Sequence, residues 1–486
     1  MWRRDCSGGL NESKAGYDSQ TMTTFYIEQF GCRATQADAA AIERQLRERG
    51  FATASESTCA DVVIVNTCTV TAAADAQARE AIRKLHARNP AARVIATGCY
   101  AQRAPEELAS LPGVSWVVGN SHKPEIPWLL GAMAGGTSGE SPRGFVPASA
   151  LGEEKLSLLH GPAKILTGNI FEQRALLAAP VVGGEGNHTR PVVKIQDGCN
   201  SRCAYCVIPF VRGRSRSLEP GQVIEEIARL SEAGYREIVL SGINLGTYGR
   251  DLSPRVELIE LLQRILDETG VERLRISSIE PMDVTEELIA LFASNERMAQ
   301  HFHMPLQSGC DRVLAAMHRW YRAEHYARRV ELIRERLPEA GIGADVIAGF
   351  PGETDAEHAE TVAFIERLPF SYLHVFSFSQ RPGTRAAELA NQVPAPVVKS
   401  RARELRALGE KKMEEFRRSQ VGRGLRVLTL RDERECAETP ALSSNYLRIA
   451  VRGKFAANEW LDVTAADSGE KLIGEPTLSP LPSCCS

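Results

Sequence analysis

The chain has 486 residues, 43% of them hydrophobic, with a formal net charge of −3. This length predicts roughly two to four domains, and the near-neutral charge excludes a uniformly basic surface of the kind that binds nucleic acid by charge alone. No apolar run approaches the roughly 18 residues of a membrane-spanning helix, so we expect no membrane partner.

The chain begins with a polar leader, residues 1–21, which we expect to be disordered. It has no apolar segment of the kind found in secretory signals, so the protein is expected to be cytoplasmic. Residues 22–130 then alternate short β-type runs with amphipathic helices, a pattern typical of a parallel α/β domain. The predicted strands are residues 25–27, 62–65, 94–95 and 114–118, and the predicted helices are residues 37–49 and 72–88.

Residues 131–188 are rich in glycine, serine and proline and predict a linker, with a short ordered patch near residues 165–177. Residues 189–417 return to alternating strands and helices. Six strand–helix units predict a partial (β/α)6 barrel, because a full eightfold barrel typically needs about 250 residues. The predicted strands are residues 192–195, 237–240, 273–277, 302–305, 343–347 and 372–376.

The C-terminal part combines a basic helix, residues 399–418, with short β runs separated by turns. Residues 418–482 therefore predict a small antiparallel β-barrel. The fold class predicted for the whole chain is α/β, with three consecutive domains after the leader.

Three of the twelve cysteines lie within eight residues, at Cys199, Cys203 and Cys206. In a cytoplasmic chain, cysteines favour metal binding or catalysis over disulfides. Three thiolates at this spacing can ligate three irons of a 4Fe–4S cube and leave the fourth iron open. The loop follows the strand predicted at residues 192–195, at the barrel end where active sites lie. The alternatives are an incomplete zinc site or three core cysteines.

A second set of cysteines is spread along the N-terminal domain. Cys32, Cys68 and Cys99 each follow a predicted strand of the same parallel sheet. Loops at the carboxyl ends of parallel strands converge on one crevice, so the three thiols are expected to meet there. The alternative is three unrelated buried cysteines, since free cysteine is often buried.

Seven motifs resemble those of the radical S-adenosylmethionine (SAM) methylthiotransferases, in family order and across most of the chain. They are Gly-Cys-Arg-Ala-Thr-Gln at residues 31–36, Asn-Thr-Cys-Thr-Val-Thr at 66–71, Thr-Gly-Cys-Tyr-Ala-Gln at 97–102, the loop at 197–209, His-Met-Pro-Leu-Gln-Ser-Gly at 303–309, Gly-Phe-Pro-Gly-Glu-Thr at 349–354 and Phe-Ser-Phe-Ser-Gln-Arg at 376–381. Thr35 and Cys310 depart from the family pattern, which usually has Asn and Ser there.

The resemblance implies an enzyme with two 4Fe–4S clusters and SAM as cofactors. The catalytic cluster would lie on Cys199, Cys203 and Cys206, and an auxiliary cluster on Cys32, Cys68 and Cys99. The C-terminal barrel is similar to the family's RNA-binding TRAM domain, and a monomer reduced by flavodoxin or ferredoxin is expected. SAM contacts are expected at strand ends from Gly242, Asn244, Ser278, Glu280, Gln307 and Asp345, whereas His301 and His303 are expected to be core or rim residues.

The sequence Ser-Gly-Ile-Asn-Leu-Gly-Thr-Tyr at residues 241–248 is similar to members that modify N6-threonylcarbamoyladenosine beside the tRNA anticodon. The expected partner is therefore the anticodon loop of tRNA, with phosphates held by Arg212, Arg214 and Arg216. Arg212, Arg214 or Arg381 is expected to pair with the substrate carboxylate. The alternatives are isopentenyladenosine in tRNA, a ribosomal protein, and a non-catalytic cluster-carrying RNA-binding protein.

Overall fold

The computed structural model describes residues 23–133, 163–174, 176–177, 179–180, 189–431, 437–467, 469 and 471–477. The predicted disordered leader lies outside these residues. The N-terminal domain contains β1 (Thr24–Gln29), α1 (Arg33–Glu48), β2 (Ala52–Thr53), β3 (Val62–Thr67), α2 (Ala72–Arg88), β4 (Arg93–Gly98), α3 (Cys99–Arg103), α4 (Pro105–Ala109), β5 (Val114–Gly119), α5 (Ile126–Met133) and β6 (Lys164–Leu166).

The strands of this domain form one parallel sheet in the order β2-β1-β3-β4-β5-β6. The central strand β3 is buried along its whole length, which explains its continuous apolar run. Helices α1 and α5 pack on one face of the sheet, and α2, α3 and α4 pack on the other. The predicted α/β domain is confirmed, and β6 extends its sheet with residues from the interval predicted to be a linker.

The central domain contains β7 (Val192–Lys194), β8 (Gln196–Asp197), α6 (Ile208–Arg212), β9 (Arg216–Ser217), α7 (Pro220–Glu232), β10 (Glu237–Ser241), α8 (Leu258–Glu268), β11 (Arg273–Ile276), α9 (Glu286–Ser294), β12 (His301–Gln307), α10 (Asp311–Ala316), α11 (Ala323–Arg336), β13 (Gly341–Ala348), α12 (Asp355–Arg367), β14 (Tyr372–Ser377), α13 (Arg385–Glu388) and α14 (Ala395–Ser419). Its six long strands are those predicted from the sequence.

These six strands form two parallel sheets that together make a partial barrel, β11-β10-β7 and β12-β13-β14. A hydrogen bond from the backbone N–H of Ile279 to the carbonyl of His303, at 3.0 Å, joins the two sheets beyond β11. The outer faces of the strands and the surrounding helices share the largest apolar core of the described residues. Since the strands are parallel, their carboxyl ends open at one rim, where the functional loops lie.

Helix α1 of the N-terminal domain packs directly against β7 and β10 of the barrel. Ala37 and Ala40 of α1 lie against Val192 and Val239, and the small alanine side chains allow this close approach. This contact places the start of α1, and therefore Cys32, beside the barrel.

The C-terminal domain contains β15 (Gly424–Thr429), β16 (Glu438–Ser443), β17 (Arg448–Arg452), β18 (Trp460–Asp467) and β19 (Leu472–Pro476). These strands form the predicted small barrel, closed in the order β15-β16-β17-β19-β18. Its neighbours pair antiparallel as predicted, except that β17 and β19 are parallel. Arg273 and Arg275 of β11 donate to the carbonyls of Leu442, Ser443 and Ser444 at 2.9 to 3.1 Å. The small barrel is thereby tied to the amino ends of the central strands, opposite the functional rim.

None of the helices in the described part of the chain has both the length and the apolar character needed to cross a bilayer.

Candidate active site

Cys199, Cys203 and Cys206 lie on the loop that runs from β8 to α6, at the carboxyl rim of the barrel. Removal from solvent and the charge of Cys203 raise the pKa of the Cys206 thiol to about 12, and burial raises that of Cys203. Buried thiols such as Cys203 and Cys206, whose pKa values are raised, do not ionise without a compensating cation. The donor set therefore suits an iron–sulfur cluster, which thiolates ligate.

Cys32, Cys68 and Cys99 follow β1, β3 and β4 respectively, at the carboxyl edge of the N-terminal sheet. Burial, followed by the charges of Cys99 and Cys32, raises the pKa of the Cys68 thiol to about 12. Gly31 has a φ of +104°, and a Cβ atom there would lie 2.5 Å from the Cβ of Cys68. Only glycine at this position lets the first cysteine loop approach the second this closely.

The two cysteine sets face each other across the domain boundary. Cys99 is buried against Val207 and Val211, which immediately follow Cys206 on the loop and α6. The Nδ2 of Asn120 lies 3.5 Å from the Sγ of Cys99 and donates to the carbonyl of Val211 at 2.7 Å. The side-chain amide of Asn120 thus connects Cys99 to α6, the helix that follows the loop of Cys199, Cys203 and Cys206.

A cleft of about 220 Å³ opens between the two domains next to Cys206. Its walls come from the loop after Cys68, the loop containing Cys206, the ends of β12 and β13, and the end of β14. They consist of Val70, Thr71, Tyr205, Cys206, Val207, Ile208, Gln307, Asp345, Ile347, Phe376, Ser377, Phe378 and Ser379. Walls that are mostly apolar with a few polar groups are typical of a small-molecule site.

The six residues expected to contact SAM lie around the rim, though not all on the cleft. Asn244 reaches the first cysteine set, with its Nδ2 3.8 Å from the Sγ of Cys199, and Gly242 lies two residues before it. Gln307 and Asp345 line the cleft together with Cys206. Ser278 and Glu280 are engaged by other side chains, His303 and Arg319 respectively.

Gln307 adopts a left-handed backbone conformation, with a φ of +65°. This region is rarely occupied by residues other than glycine, asparagine or aspartate, and such strain tends to occur at functional sites. Because Gln307 is also buried and lines the cleft, its position supports the role expected for it.

Arg319 was not singled out by the sequence motifs, yet it touches the first cysteine set. Its Nη1 lies 3.2 Å from the Sγ of Cys203, and its Nη2 pairs with the carboxylate of Glu280. Arg319 follows α10 and lies 116 residues after Cys203 in the sequence. No local sequence pattern identifies it as a neighbour of the cysteines. The guanidinium supplies the positive charge that a thiolate cluster needs nearby.

A buried ion network joins the two domains beneath the cysteines. The carboxylate of Asp38 on α1 accepts from Lys123 at 2.8 Å and from Arg212 at 3.0 Å, and it also pairs with Lys194 of β7. Arg212 also pairs with Asp197 at 3.0 Å. All five side chains are at most 8% exposed.

This network corrects the expectation that Arg212 and Arg216 hold RNA phosphates, because both are buried. Arg381 is likewise buried and pairs with Asp75 at 2.6 Å, so it cannot recognise a substrate carboxylate. The sequence suggested four arginines for binding RNA phosphates or the substrate carboxylate. Of these four, Arg214 alone is exposed.

Protein-family models match both domains that contribute to the site. Residues 24–119 match the family described as "Uncharacterized protein family UPF0004", and residues 193–365 match the Radical SAM superfamily. The solved structure of the radical SAM methyltransferase TsrM from Kitasatospora setae shares the fold, with a TM-score of 0.51 at 17% identity over 76% of this chain and 77% of that one.

Curated relatives cover nearly the whole chain. Threonylcarbamoyladenosine tRNA methylthiotransferase MtaB of Aquifex aeolicus is 37% identical over 88% of this chain and 96% of its own length. The protein of the same name from Bacillus subtilis is 34% identical over 89% and 91%. The tRNA-2-methylthio-N(6)-dimethylallyladenosine synthase of Thermobifida fusca is 34% identical over 91% and 85%.

Proposed function

Because this chain belongs to the radical SAM methylthiotransferases, we propose that it converts N6-threonylcarbamoyladenosine in tRNA, at position 37 on the 3′ side of the anticodon, to its 2-methylthio derivative. The observation that carries this proposal is the 37% identity to a relative named for that substrate, over 96% of its length. The sequence at residues 241–248 supports the same substrate.

We propose that each cysteine set holds one 4Fe–4S cluster, the catalytic one on Cys199, Cys203 and Cys206 and the auxiliary one on Cys32, Cys68 and Cys99. The raised pKa values of Cys206 and Cys68 support this assignment, since both thiols need a cation in order to ionise. When bound, the clusters and SAM supply the electron, the radical chemistry and the sulfur that side chains lack.

The protein's own task is to position the cofactors and substrate and to keep water away from them. Three cysteines per set leave one position of a four-iron cluster without a protein ligand. The cleft lies beside Cys206 and presents apolar walls, among them Phe376, Phe378 and Ile347, which would keep water from a bound cluster. We propose that Gly242, Asn244, Ser278, Glu280, Gln307 and Asp345 bind or orient SAM here.

Nucleoside analysis of a deletion strain tests the proposed function. We expect tRNA from the strain to lack 2-methylthio-N6-threonylcarbamoyladenosine and to accumulate the unmethylthiolated nucleoside. Reintroducing the wild-type gene should return both nucleosides to their normal levels. The measurement is mass spectrometry of digested total tRNA. An unchanged nucleoside profile, or selective loss of the 2-methylthio-isopentenyl nucleoside, would rule out the proposed substrate.

The isopentenyladenosine alternative retains a specific observation in its favour, the 34% identity to the Thermobifida fusca protein over 91% of this chain. This identity is close to the 34–37% shared with the two threonylcarbamoyladenosine relatives. The nucleoside test therefore decides between the two substrates. The ribosomal-protein alternative predicts a normal tRNA profile. The carrier alternative predicts that reduced protein with SAM yields no 5′-deoxyadenosine.

Arg319 is proposed to tune the catalytic cluster, because its guanidinium lies 3.2 Å from the Sγ of Cys203. Removing this positive charge disfavours the more negative, reduced cluster. We therefore expect Arg319→Met to lower the midpoint potential, as measured by redox titration with electron paramagnetic resonance. The matched control is Arg322→Met at an exposed position, which should keep the wild-type midpoint potential. The potential of Arg319→Lys should lie between those of Arg319→Met and the control. Equal potentials for Arg319→Met and wild type would refute this role.

The remaining parts of the proposal concern partners and organisation. We propose a cytoplasmic monomer that receives electrons from flavodoxin or ferredoxin and binds the anticodon loop of tRNA. The proposed domains are residues 22–130, 189–417 and 418–482, with RNA binding assigned to the C-terminal, TRAM-like barrel. Helix α14 contributes less free charge than its composition suggests, because Arg401 and Lys412 are buried against the central domain.

A further inference from the structure

His303, Asp345 and His374 lie side by side on three adjacent parallel strands of the barrel. They belong to β12, β13 and β14, and Asp345 is the register partner of His374. One nitrogen of each histidine and one carboxylate oxygen of Asp345 all lie within 4.8 Å of one another. This group is separate from both cysteine sets, and the proposed reaction assigns no role to its two histidines.

The spacing of these atoms matches the coordination sphere of a metal ion. The Oδ1 of Asp345 lies 3.3 Å from the Nε2 of His303 and 3.4 Å from the Nδ1 of His374. Ligands about 2.1 Å from a tetrahedral zinc ion lie about 3.4 Å from one another. The two measured separations are therefore those of neighbouring ligands around one ion.

The ring of His303 provides an independent observation. Its side chain is 8% exposed, and its Nε2 has no hydrogen-bond partner among the described residues. The other nitrogen, Nδ1, lies 2.7 Å from the Oγ of Ser278. In the tautomer whose Nδ1 donates its proton to Ser278, Nε2 presents its lone pair toward Asp345 and can ligate a metal ion. Metal-ligating histidines are typically oriented by such a second hydrogen bond.

Tyr372 restrains both histidine rings. Its ring centroid lies 5.8 Å from that of His303 in a stacked arrangement and 5.2 Å from that of His374 in a tilted one.

We propose that His303, Asp345 and His374 form a binding site for a divalent transition-metal ion of the zinc class. Two imidazoles and a carboxylate are the protein ligands of many open zinc sites, which leave a further position for water or substrate. Asp345 also lines the cleft, so the ion lies at the wall of the cavity beside Cys206. The proposal changes the role expected of His303 from a core or rim residue to a ligand, and Asp345 would then orient SAM through the ion and not by direct contact.

Zinc binding by the reconstituted holoenzyme tests this site. After equilibrium dialysis against micromolar zinc chloride under anaerobic conditions, we expect about one zinc per chain by elemental analysis. X-ray absorption at the zinc edge should give only nitrogen and oxygen neighbours near 2.0 to 2.1 Å. Zinc misplaced on the cysteines would instead give sulfur neighbours near 2.3 Å, and this result would overturn the proposal.

His374→Ala is the decisive variant, because this side chain is 55% exposed and its removal should not disturb folding. We expect zinc affinity to fall at least ~10-fold, given that even outer-shell changes cost 10- to 100-fold. The exposed His325→Ala on α11 is the control and should retain wild-type affinity. Iron content should be equal in all three proteins. No bound zinc in the wild type, or equal affinity in His374→Ala, would refute the site.

Discussion

Replacing Cys199 by alanine is expected to abolish reductive cleavage of SAM, whereas Cys68→Ala should retain it and lose only the methylthiolated product. Cys199 supplies one of three ligands to the proposed catalytic cluster, and no described thiol outside the set is proposed to replace it. Cys68 belongs to the other set, across the boundary formed by Cys99, Val207 and Val211. The two variants should therefore separate radical generation from sulfur transfer.

We expect the rate of 5′-deoxyadenosine formation by Cys199→Ala to fall roughly 100-fold or more, since loss of an outer-shell partner alone costs 10- to 100-fold. Iron content should be about eight atoms per chain in the wild type and about four in each variant. Cys59 is an exposed cysteine in the N-terminal domain. The control variant Cys59→Ala should keep the wild-type rate of 5′-deoxyadenosine formation and the wild-type iron content. Four irons in the wild type would mean that one cysteine set is not a cluster site.

Asp38→Asn is expected to destabilise the protein by about 3–5 kcal/mol, the usual cost of breaking a buried ion pair from one side. The carboxylate of Asp38 faces Lys123, Lys194 and Arg212. Its loss leaves these three buried cations with a single carboxylate, Asp197, which pairs with Lys194 and Arg212. Asp38 lies on α1 and Lys194 on β7, so the damage should concentrate at the contact between the N-terminal domain and the barrel.

The stability that Asp38→Asn loses relative to the wild type should depend on pH. Burial would raise the pKa of Asp38, but Arg212, Lys123 and Lys194 hold it well below its usual range. A carboxyl whose pKa is lowered by folding stabilises the protein fully above its unfolded pKa of about 3.9 and loses this contribution in acid. The difference between wild type and variant should therefore shrink below about pH 4.

Urea denaturation at several pH values measures both effects. Glu48→Gln is the matched control on the same helix, because its surface ion pair contributes at most about 1 kcal/mol. A loss for Asp38→Asn no larger than that of Glu48→Gln would contradict the proposed importance of the buried network.

The sequence predicted the strands, and it predicted that Cys32, Cys68 and Cys99 follow strands of one sheet, because both predictions depend on local patterns. Continuous apolar runs such as that of β3 identify buried parallel strands, and a cysteine at the end of such a strand must lie at the carboxyl edge of the sheet. The geometry around Cys68 and Cys206 was therefore within reach of sequence reasoning.

The arginines were mispredicted because their partners are remote in sequence. Arg212 meets Asp38 across 174 residues, and Arg381 meets Asp75 across 306. A basic residue that is buried with a distant carboxylate looks in sequence like one that faces solvent. Arg319 was missed for the same reason, since Cys203 lies 116 residues away. Partner identity is set by tertiary packing and not by local charge.

The substrate proposal is tested most directly by giving the enzyme a choice. Anaerobically reconstituted and reduced protein is incubated with SAM, a sulfur source and two tRNAs, one carrying N6-threonylcarbamoyladenosine and the other isopentenyladenosine at position 37. Mass spectrometry of the digested nucleosides then measures the products. The proposal predicts 2-methylthio-N6-threonylcarbamoyladenosine alone, and methylthiolation of only the isopentenyladenosine tRNA would contradict it.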